Sequence, residues 1–375
     1  MSKLKLMTIL GTRPEIIRLS ETIKACDKYF NHVLVHTGQN WDPTLNDIFF
    51  DELELRQPDY YLDSVGKNLG ETIGNIIAKS YDVIVKEDPD AVLVLGDTNS
   101  ALSVISAKRL KKPIFHMEAG NRCWDWNVSE MINRKIVDSI SDINLPYTEN
   151  SRRYLISEGV DGKTVFVTGS PMMEVLTKYK DKIDESNVLE ELGLKEKQYI
   201  LVSAHREENI DIEDNFMSLM TAINNVAEKY NMPVIYSTHP RSKKFIENRN
   251  FIFDKRVKSL KPFGFFDYNK LQKNAYCVLS DSGTLSEESA MLNFSAVLIR
   301  TSTERPEALD AGSIIIGGIT TETIQQSIDM AVEMNKNNEI MGMANDYNDI
   351  NVSIKVVKLI QSYTDIVNRT VWNKR

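Results

Sequence analysis

Short apolar runs alternate along this chain with stretches whose apolar residues recur at three- and four-residue spacing. That alternation is how strands joined by crossover helices read, and it predicts an α/β fold with parallel sheets. Candidate strands in the first half are Leu4–Leu10, His32–His36, Ala91–Leu95, Pro113–Met117, Asn144–Pro146 and Val165–Val167. A second set comprises Tyr199–Ser203, Pro233–Thr238, Cys277–Leu279, Ala296–Ile299 and Ile314–Ile316. Between members of that set, Phe216, Leu219, Met220, Ile223 and Val226 mark one face of an amphipathic helix.

The two sets break near Gly169-Ser170-Pro171, followed by a polar helical stretch over 172–195. The expected units are therefore 1–170, 171–350 and a closing segment 351–375, with a final helix over 351–371. Residues 90–120 and 274–307 share a layout of strand, Asp with small polar residues, helix, then a strand running into acidic residues. Two similar Rossmann-like halves account for it, and so does the general likeness of βα units.

At 375 residues the chain is long for one domain and comfortable for two. A net charge of −8 argues against general nucleic-acid binding, which needs a basic face. It leaves room for a phosphorylated ligand, whose site needs only local donors. Cys26, Cys123 and Cys277 form no CxxC pair and no zinc set with the five histidines, so a reducing cytoplasm is expected. No metal site is expected. The start, MSKLKLMTIL, is too short an apolar run for a signal peptide, and no stretch reaches the ~18–20 apolar residues that span a bilayer. Trp41, Trp124 and Trp126 read as core or wall residues.

GTRPE (11–15) follows the first strand and opens a helix. Gly11 permits a tight turn, the helix start offers free N–H groups, and Arg13 supplies a cation, which together make an anion site. The later glycines of a dinucleotide fingerprint are missing. SDSGTLSEES (280–289) is expected at the equivalent point of the second half, where Ser282, Gly283 and Thr284 present N–H and hydroxyl groups to a phosphate. Glu287 and Glu288 fall one turn in, where a carboxylate can take ribose hydroxyls.

His36, His116, His205 and His239 all stand at the C-terminal ends of predicted strands, the edge at which open α/β sheets bind ligands. Asp97, Glu118 and Glu130 mark the same edge. Carboxylates and histidines beside phosphate turns suggest acid/base work on a nucleotide-linked substrate.

GTRPE, LGDTNS, HMEAGNRC, NRKIVD, TGSP, SAHREEN, STHPR, SDSGTLSEES and TERPE occur in order across residues 11–307. With them the chain resembles the non-hydrolysing UDP-N-acetylglucosamine 2-epimerase family. HMEAGNRC, LKPFGF and EESAMLNF look most like its branch that makes UDP-N-acetyl-L-fucosamine for capsule or O-antigen sugars. The resemblance implies two Rossmann-like domains facing a cleft, as in the GT-B glycosyltransferases, with the last helix crossing back to the first. It implies elimination of UDP across C1–C2 and re-addition, without a nicotinamide or other cofactor, on a UDP-activated N-acetylated amino sugar. It also implies a homodimer.

Carried over by position, the resemblance assigns Asp97, Glu118, Glu130 and His205 to catalysis, with Asp97 and Glu130 as the C2 pair. Arg13 and Arg18 fall on the phosphate side, Ser282, Gly283 and Thr284 on the pyrophosphate loop, Glu288 on the ribose and Tyr268 near the uracil. His239 joins the substrate-binding set. Arg18 is a lysine and Thr284 a glycine in many relatives. Departures also fall at Ser129 (Pro in the family), Met131 (Glu), Ser139 (His) and Phe266 (His). Ser129 is expected to cap the helix in place of the proline. Alternatives are UDP-N-acetylglucosamine epimerisation, a GT-B glycosyltransferase, and a non-catalytic UDP-sugar-binding relative.

Overall fold

The computed structural model describes residues 3–38, 43–124, 126, 128–339 and 342–374. Contacts divide the chain into two units, Met1–Lys178 with Asp346–Arg375, and Tyr179–Asn345. The first unit holds β1 (Lys5–Leu10), β2 (Asn31–His36), β3 (Tyr60–Tyr61), β4 (Ala91–Leu95), β5 (Ile114–Met117) and β6 (Ile143–Leu145), in the spatial order β3-β2-β1-β4-β5-β6. The second holds β7 (Ile200–Ser203), β8 (Val234–Ser237), β9 (Val257–Leu260), β10 (Cys277–Ser280), β11 (Ala296–Leu298) and β12 (Ile315–Ile316), in the order β9-β8-β7-β10-β11-β12. All pairings are parallel. Each sheet thus runs outward in both directions from a switch point, between β1 and β4 in one unit and β7 and β10 in the other. Loops leaving those central strands diverge to opposite faces and open a crevice at the C-terminal edge.

The central strands are buried on both faces, which is why they read as unbroken apolar runs. In the first unit Met7, Ile9, Val92 and Val94 pack with Ile84 and Val104 from the crossover helices. In the second, Phe216, Leu219, Met220, Ile223 and Val226 lie on the helix Glu213–Tyr230 and pack on Ile200, Val202 and Val234, as their spacing predicted. Among the described residues no helix is long and apolar enough to cross a membrane.

Val165–Val167 is not a strand: one parallel bridge joins Asn144 to Val165, and Val165 is buried instead against Ala119 and Leu155. β3 and β9 went unpredicted. Both are edge strands, and only one face of an edge needs apolar residues, so Val257-Lys258-Ser259-Leu260 carries too little pattern to stand out. Trp124 and Trp126 are 60% and 65% exposed, not core residues, and the Lys135 ammonium sits over both rings. Trp41 lies outside the described residues.

The last helix, Val352–Thr370, belongs to the first unit and packs on the helix Arg13–Tyr29. Its start is clasped by Glu174, which accepts from Ser353 N at 2.9 Å and Ser353 Oγ at 2.5 Å, so a carboxylate meets the positive end of the helix. Val356 and Ile360 are buried in the contact. Ile360→Ala is expected to cost the first unit about 2–5 kcal/mol. All four tryptophans lie in that unit, so the loss is read as a lower urea midpoint of tryptophan fluorescence.

Candidate active site

In the first unit the β1 turn is built on a missing side chain. A Cβ on Gly11 would lie 2.0 Å from Thr37 Oγ1 and 2.2 Å from Ser100 Oγ, two hydroxyls that bond each other at 2.7 Å. Glycine is needed here for close approach rather than for a positive φ. Thr12 is the N-cap of the helix Arg13–Tyr29, but its hydroxyl turns to Glu15, donating at 2.7 Å, while Gly11 N donates to the same oxygen at 3.1 Å. Glu15 is buried, and burial pushes its carboxyl up to about 7 against those hydrogen bonds. Arg13 opens the helix with its guanidinium 5.7 Å from the Phe49 ring centre. Arg18, one turn further on, forms an ion pair with Glu118.

Asp97 follows β4 and Glu118 follows β5. Glu118 has φ +61°, a left-handed backbone that costs a non-glycine residue about 1–3 kcal/mol and persists only when its surroundings hold it. The helix Ser129–Ile140 supplies that hold. Glu130, Arg134 and Asp138 stand four residues apart on one face. The buried Arg134 guanidinium pairs with Asp97, reaches Glu118 Oε1 at 3.7 Å and donates to the Glu118 carbonyl. Asn133 Nδ2 donates to the Asp97 carbonyl and to Asn99 Oδ1, both at 3.0 Å. Asn121 Nδ2 reaches Glu118 Oε1 at 3.4 Å. Asp97 and Glu118 are therefore brought together on one cation, and the helix carrying it holds partly buried Glu130 in its first turn.

Ser129 does not cap this helix. Val128 occupies the N-cap position with extended backbone, and Ser129 is the first helical residue, the place where proline is also favoured. Met131 is 2% exposed, a core side chain, and Ser139 faces solvent with its hydroxyl on the Lys135 carbonyl.

Two of the four strand-end histidines are internal. His116 lies wholly inside, Nε2 2.8 Å from the Gly96 carbonyl and Nδ1 3.0 Å from Asp138. His36 accepts from Gly38 N at Nδ1, its ring lies against Tyr61, and burial pushes it down to about 4, so it is uncharged at neutral pH.

In the second unit, SDSGT follows β10, whose counterpart in the first sheet is β4 rather than β1. GTRPE and SDSGT are thus not equivalent, because the strand order pairs GTRPE with SAHRE and GDTNS with SDSGT. Asp281 joins the two loops of this switch point. Its Oδ2 accepts from His205 N and Arg206 N, each at 2.9 Å, and from Asn209 Nδ2 at 3.2 Å, while Oδ1 lies 3.3 Å from His205 Nδ1. His239 caps the helix Pro240–Asn248, accepting at Nδ1 from Arg241 N, and its ring centre is 5.6 Å from that of His205. Ser282 Oγ and Thr284 Oγ1 bond each other at 2.9 Å, and Ser282 N donates to Ser280 Oγ at 3.1 Å. A Cβ on Gly283 would find its nearest neighbour, Arg206 Nη2, 4.0 Å away, so this glycine leaves room for close approach.

Glu288 is buried and accepts from Gln272 Nε2 at 2.7 Å. Glu287 is committed to the buried Arg305 at 2.8 Å and is therefore not a second ribose candidate. Tyr268 packs partly buried on the sheet's other core layer. Phe266 stacks at 5.6 Å on Tyr179, under the Lys182 ammonium. Sequence reading missed Glu15, Asn133, Arg134, Asp138 and Asp281. The four-residue spacing from Glu130 to Arg134 and Asp138 was a signal for two of them. Among the described residues no group of His, Cys, Asp and Glu is placed to hold a metal ion.

A protein-family model described as UDP-N-acetylglucosamine 2-epimerase matches residues 24–361. A solved UDP-N-acetylglucosamine 2-epimerase from Rickettsia bellii is 46% identical, with a TM-score of 0.91 over 99% of this chain and 100% of that one. That of Methanocaldococcus jannaschii, solved in complex with UDP-GlcNAc and UDP, is 31% identical with a TM-score of 0.89 over 96% and 100%. The UDP-2,3-diacetamido-2,3-dideoxy-D-glucuronate 2-epimerase of Pseudomonas aeruginosa is 32% identical over 86% of this chain and 91% of its own.

Glu15 gives the first unit a pH signature. The folded protein keeps the Glu15 proton to about pH 7, whereas the unfolded chain releases it near 4.5. Its contribution to stability is therefore full below pH 4.5 and is lost as pH rises to 7. Relative to Glu15→Gln, the wild-type protein should lose roughly 3 kcal/mol across that interval. Urea unfolding of both proteins at the two pH values measures the difference.

Proposed function

The chain belongs to the UDP-N-acetylglucosamine 2-epimerase family, and on that premise we propose that it inverts C2 of a UDP-activated 2-acetamido sugar. The observation that carries this reading is the gathering of Asp97 and Glu118 on Arg134, from the helix whose first turn holds Glu130. Epimerisation at C2 needs a base on one face of the ring and an acid on the other. A carboxylate takes the C2 proton while the C1–O bond breaks and UDP leaves with the bonding electrons. The resulting 2-acetamidoglycal then receives a proton at C2 from the opposite face, and a UDP oxygen remakes the bond to C1. Proton and UDP both return, so the step is an isomerisation with no net electron transfer.

Asp97 and Glu130 are the C2 pair in this reading, with Glu118 as the third carboxylate of the set and Arg134 orienting Asp97 and Glu118. In the first unit Arg13 and Arg18 are the phosphate-side cations of this reading, and in the second the Ser282-Gly283-Thr284 loop is its pyrophosphate loop. His205, with Nδ1 toward Asp281, and His239 beside it are the imidazoles of this set. Glu288 takes the ribose and Tyr268 the uracil side. The substrate we propose is UDP-2-acetamido-2,6-dideoxy-L-talose, giving UDP-N-acetyl-L-fucosamine for a capsule or O-antigen polymer. Its support is the likeness of HMEAGNRC, LKPFGF and EESAMLNF to that branch. The named activity of the Rickettsia and Methanocaldococcus proteins favours a second reading, interconversion of UDP-N-acetylglucosamine and UDP-N-acetylmannosamine.

Incubation with each UDP-sugar in D₂O separates the two, since deuterium should enter C2 of the true substrate alone. Absence of exchange with every UDP-N-acetylhexosamine sinks both readings, and sugar transfer to an acceptor without exchange points to a glycosyltransferase. Asp97→Asn and Glu130→Gln should each lower the exchange rate by about 10²–10⁴-fold, the usual worth of a placed acid or base. Full-rate exchange by Glu130→Gln removes that residue from the pair.

A further inference from the structure

Asp138 is 2% exposed and lies two turns beyond Glu130, outside the set of residues assigned to the reaction. Its carboxylate nevertheless ties together the segments that carry Asp97, Glu118 and Glu130. Gly120 N donates to both oxygens at 3.2 Å, which anchors the left-handed turn from Glu118 to Gly120. His116 Nδ1 stands 3.0 Å from Oδ1, while His116 Nε2 reaches the carbonyl of Gly96, the residue before Asp97, at 2.8 Å. Arg122 Nη1 is 2.8 Å from Oδ2, and the same guanidinium grips Glu158 through Nε at 3.0 Å and Nη2 at 2.6 Å. Burial works to raise the Asp138 carboxyl, but His116, Arg122 and Arg134 outweigh it and hold it below its ordinary value.

The loops after β4 and β5 and the helix Ser129–Ile140 therefore meet at one carboxylate. Arg134 and Asn133 also tie Asp97 and Glu118 to this helix, and the Asp138 contacts lie one turn further along it. Glu118 sits in a strained backbone, Asp97 follows a glycine at φ +71°, and Glu130 lies in a first turn without a side-chain cap. We propose that Asp138, with His116 as its arm to Gly96, is a positioning residue that fixes Asp97, Glu118 and Glu130 relative to one another for proton transfer at C2. This rests on the C2-epimerase reading above.

The test compares wild type with Asp138→Asn and His116→Gln, the second serving if the first does not fold. Both are assayed well below their unfolding temperatures for kcat, KM and C2 deuterium exchange, with the affinity for UDP measured by calorimetry. The positioning role predicts kcat and exchange lower by about 10–100-fold, since displacement of a reacting group by about an ångström costs that much. KM and UDP affinity should stay near wild type, because neither variant touches a residue assigned to UDP. A variant with a lowered unfolding temperature but wild-type kcat overturns the proposal, and so does a loss carried by KM alone. Wild-type exchange beside undiminished variants sinks this proposal and leaves the epimerase reading standing. A wild-type protein without exchange on any UDP-sugar removes that reading and the proposal together.

Discussion

Two carboxylates on one buried guanidinium set the terms for the first unit. Asp97 and Glu118 are like charges, and at separations of a few ångströms such a pair repels by on the order of 2–4 kcal/mol even at an effective dielectric near 20. Arg134 lies against both, and Arg18 adds a second cation on Glu118. The arrangement requires that the helix Ser129–Ile140 arrive at the sheet edge with Arg134 buried, which in turn places Glu130 one turn earlier on the same face. Removing a cation from such a set leaves an uncompensated buried charge, so the pairing is a condition of the fold at this edge as well as of any chemistry there.

The second unit solves a different problem with a similar device. Two loops leaving neighbouring strands must instead be kept open at a fixed width, and Asp281 does so by accepting backbone N–H groups from His205 and Arg206. Asp138 does the same for the first unit through Gly120 N. In both, a buried acid satisfies loop amides that no strand or helix could satisfy. Each acid also lies beside a histidine, His205 beside Asp281 and His116 beside Asp138. The difference is exposure: His205 keeps about a third of its side chain in solvent (34%), while His116 has none. One ring stands partly in solvent and the other is enclosed in the frame.

That difference marks the limit of what the sequence could disclose. Strand ends were legible because β1, β4, β5, β7 and β10 are covered on both faces, and residues beyond a strand end lie at the edge where ligands bind. The same criterion selected His36 and His116 with His205 and His239, although burial removes the first two from solvent. Position along a strand is local information, and burial is not. Two of the missed residues, Arg134 and Asp281, share this property. Arg134 meets Asp97 across 37 positions, and Asp281 meets His205 across 76. Neither pairing leaves a trace in spacing, because the fold, not the chain, brings the partners together. GTRPE and SDSGT seemed equivalent for a related reason: both are small polar turns, and only the strand order distinguishes β1 from β4.

The departures from the family pattern can be weighed by where they fall on the helix. Successive residues are turned by about 100° around a helix axis, so Met131 cannot share the face of Glu130, Arg134 and Asp138. It is buried in the core, where a thioether packs well and a carboxylate would need a partner. Ser139 faces solvent and satisfies its hydroxyl on its own helix. Ser129 occupies the first helical position, which has no intrahelical N–H partner to lose and which proline fills in other members. None of the three changes the face that carries Glu130, Arg134 and Asp138. Phe266, against Tyr179 and Lys182 in the second unit, is the departure whose ring stays partly exposed.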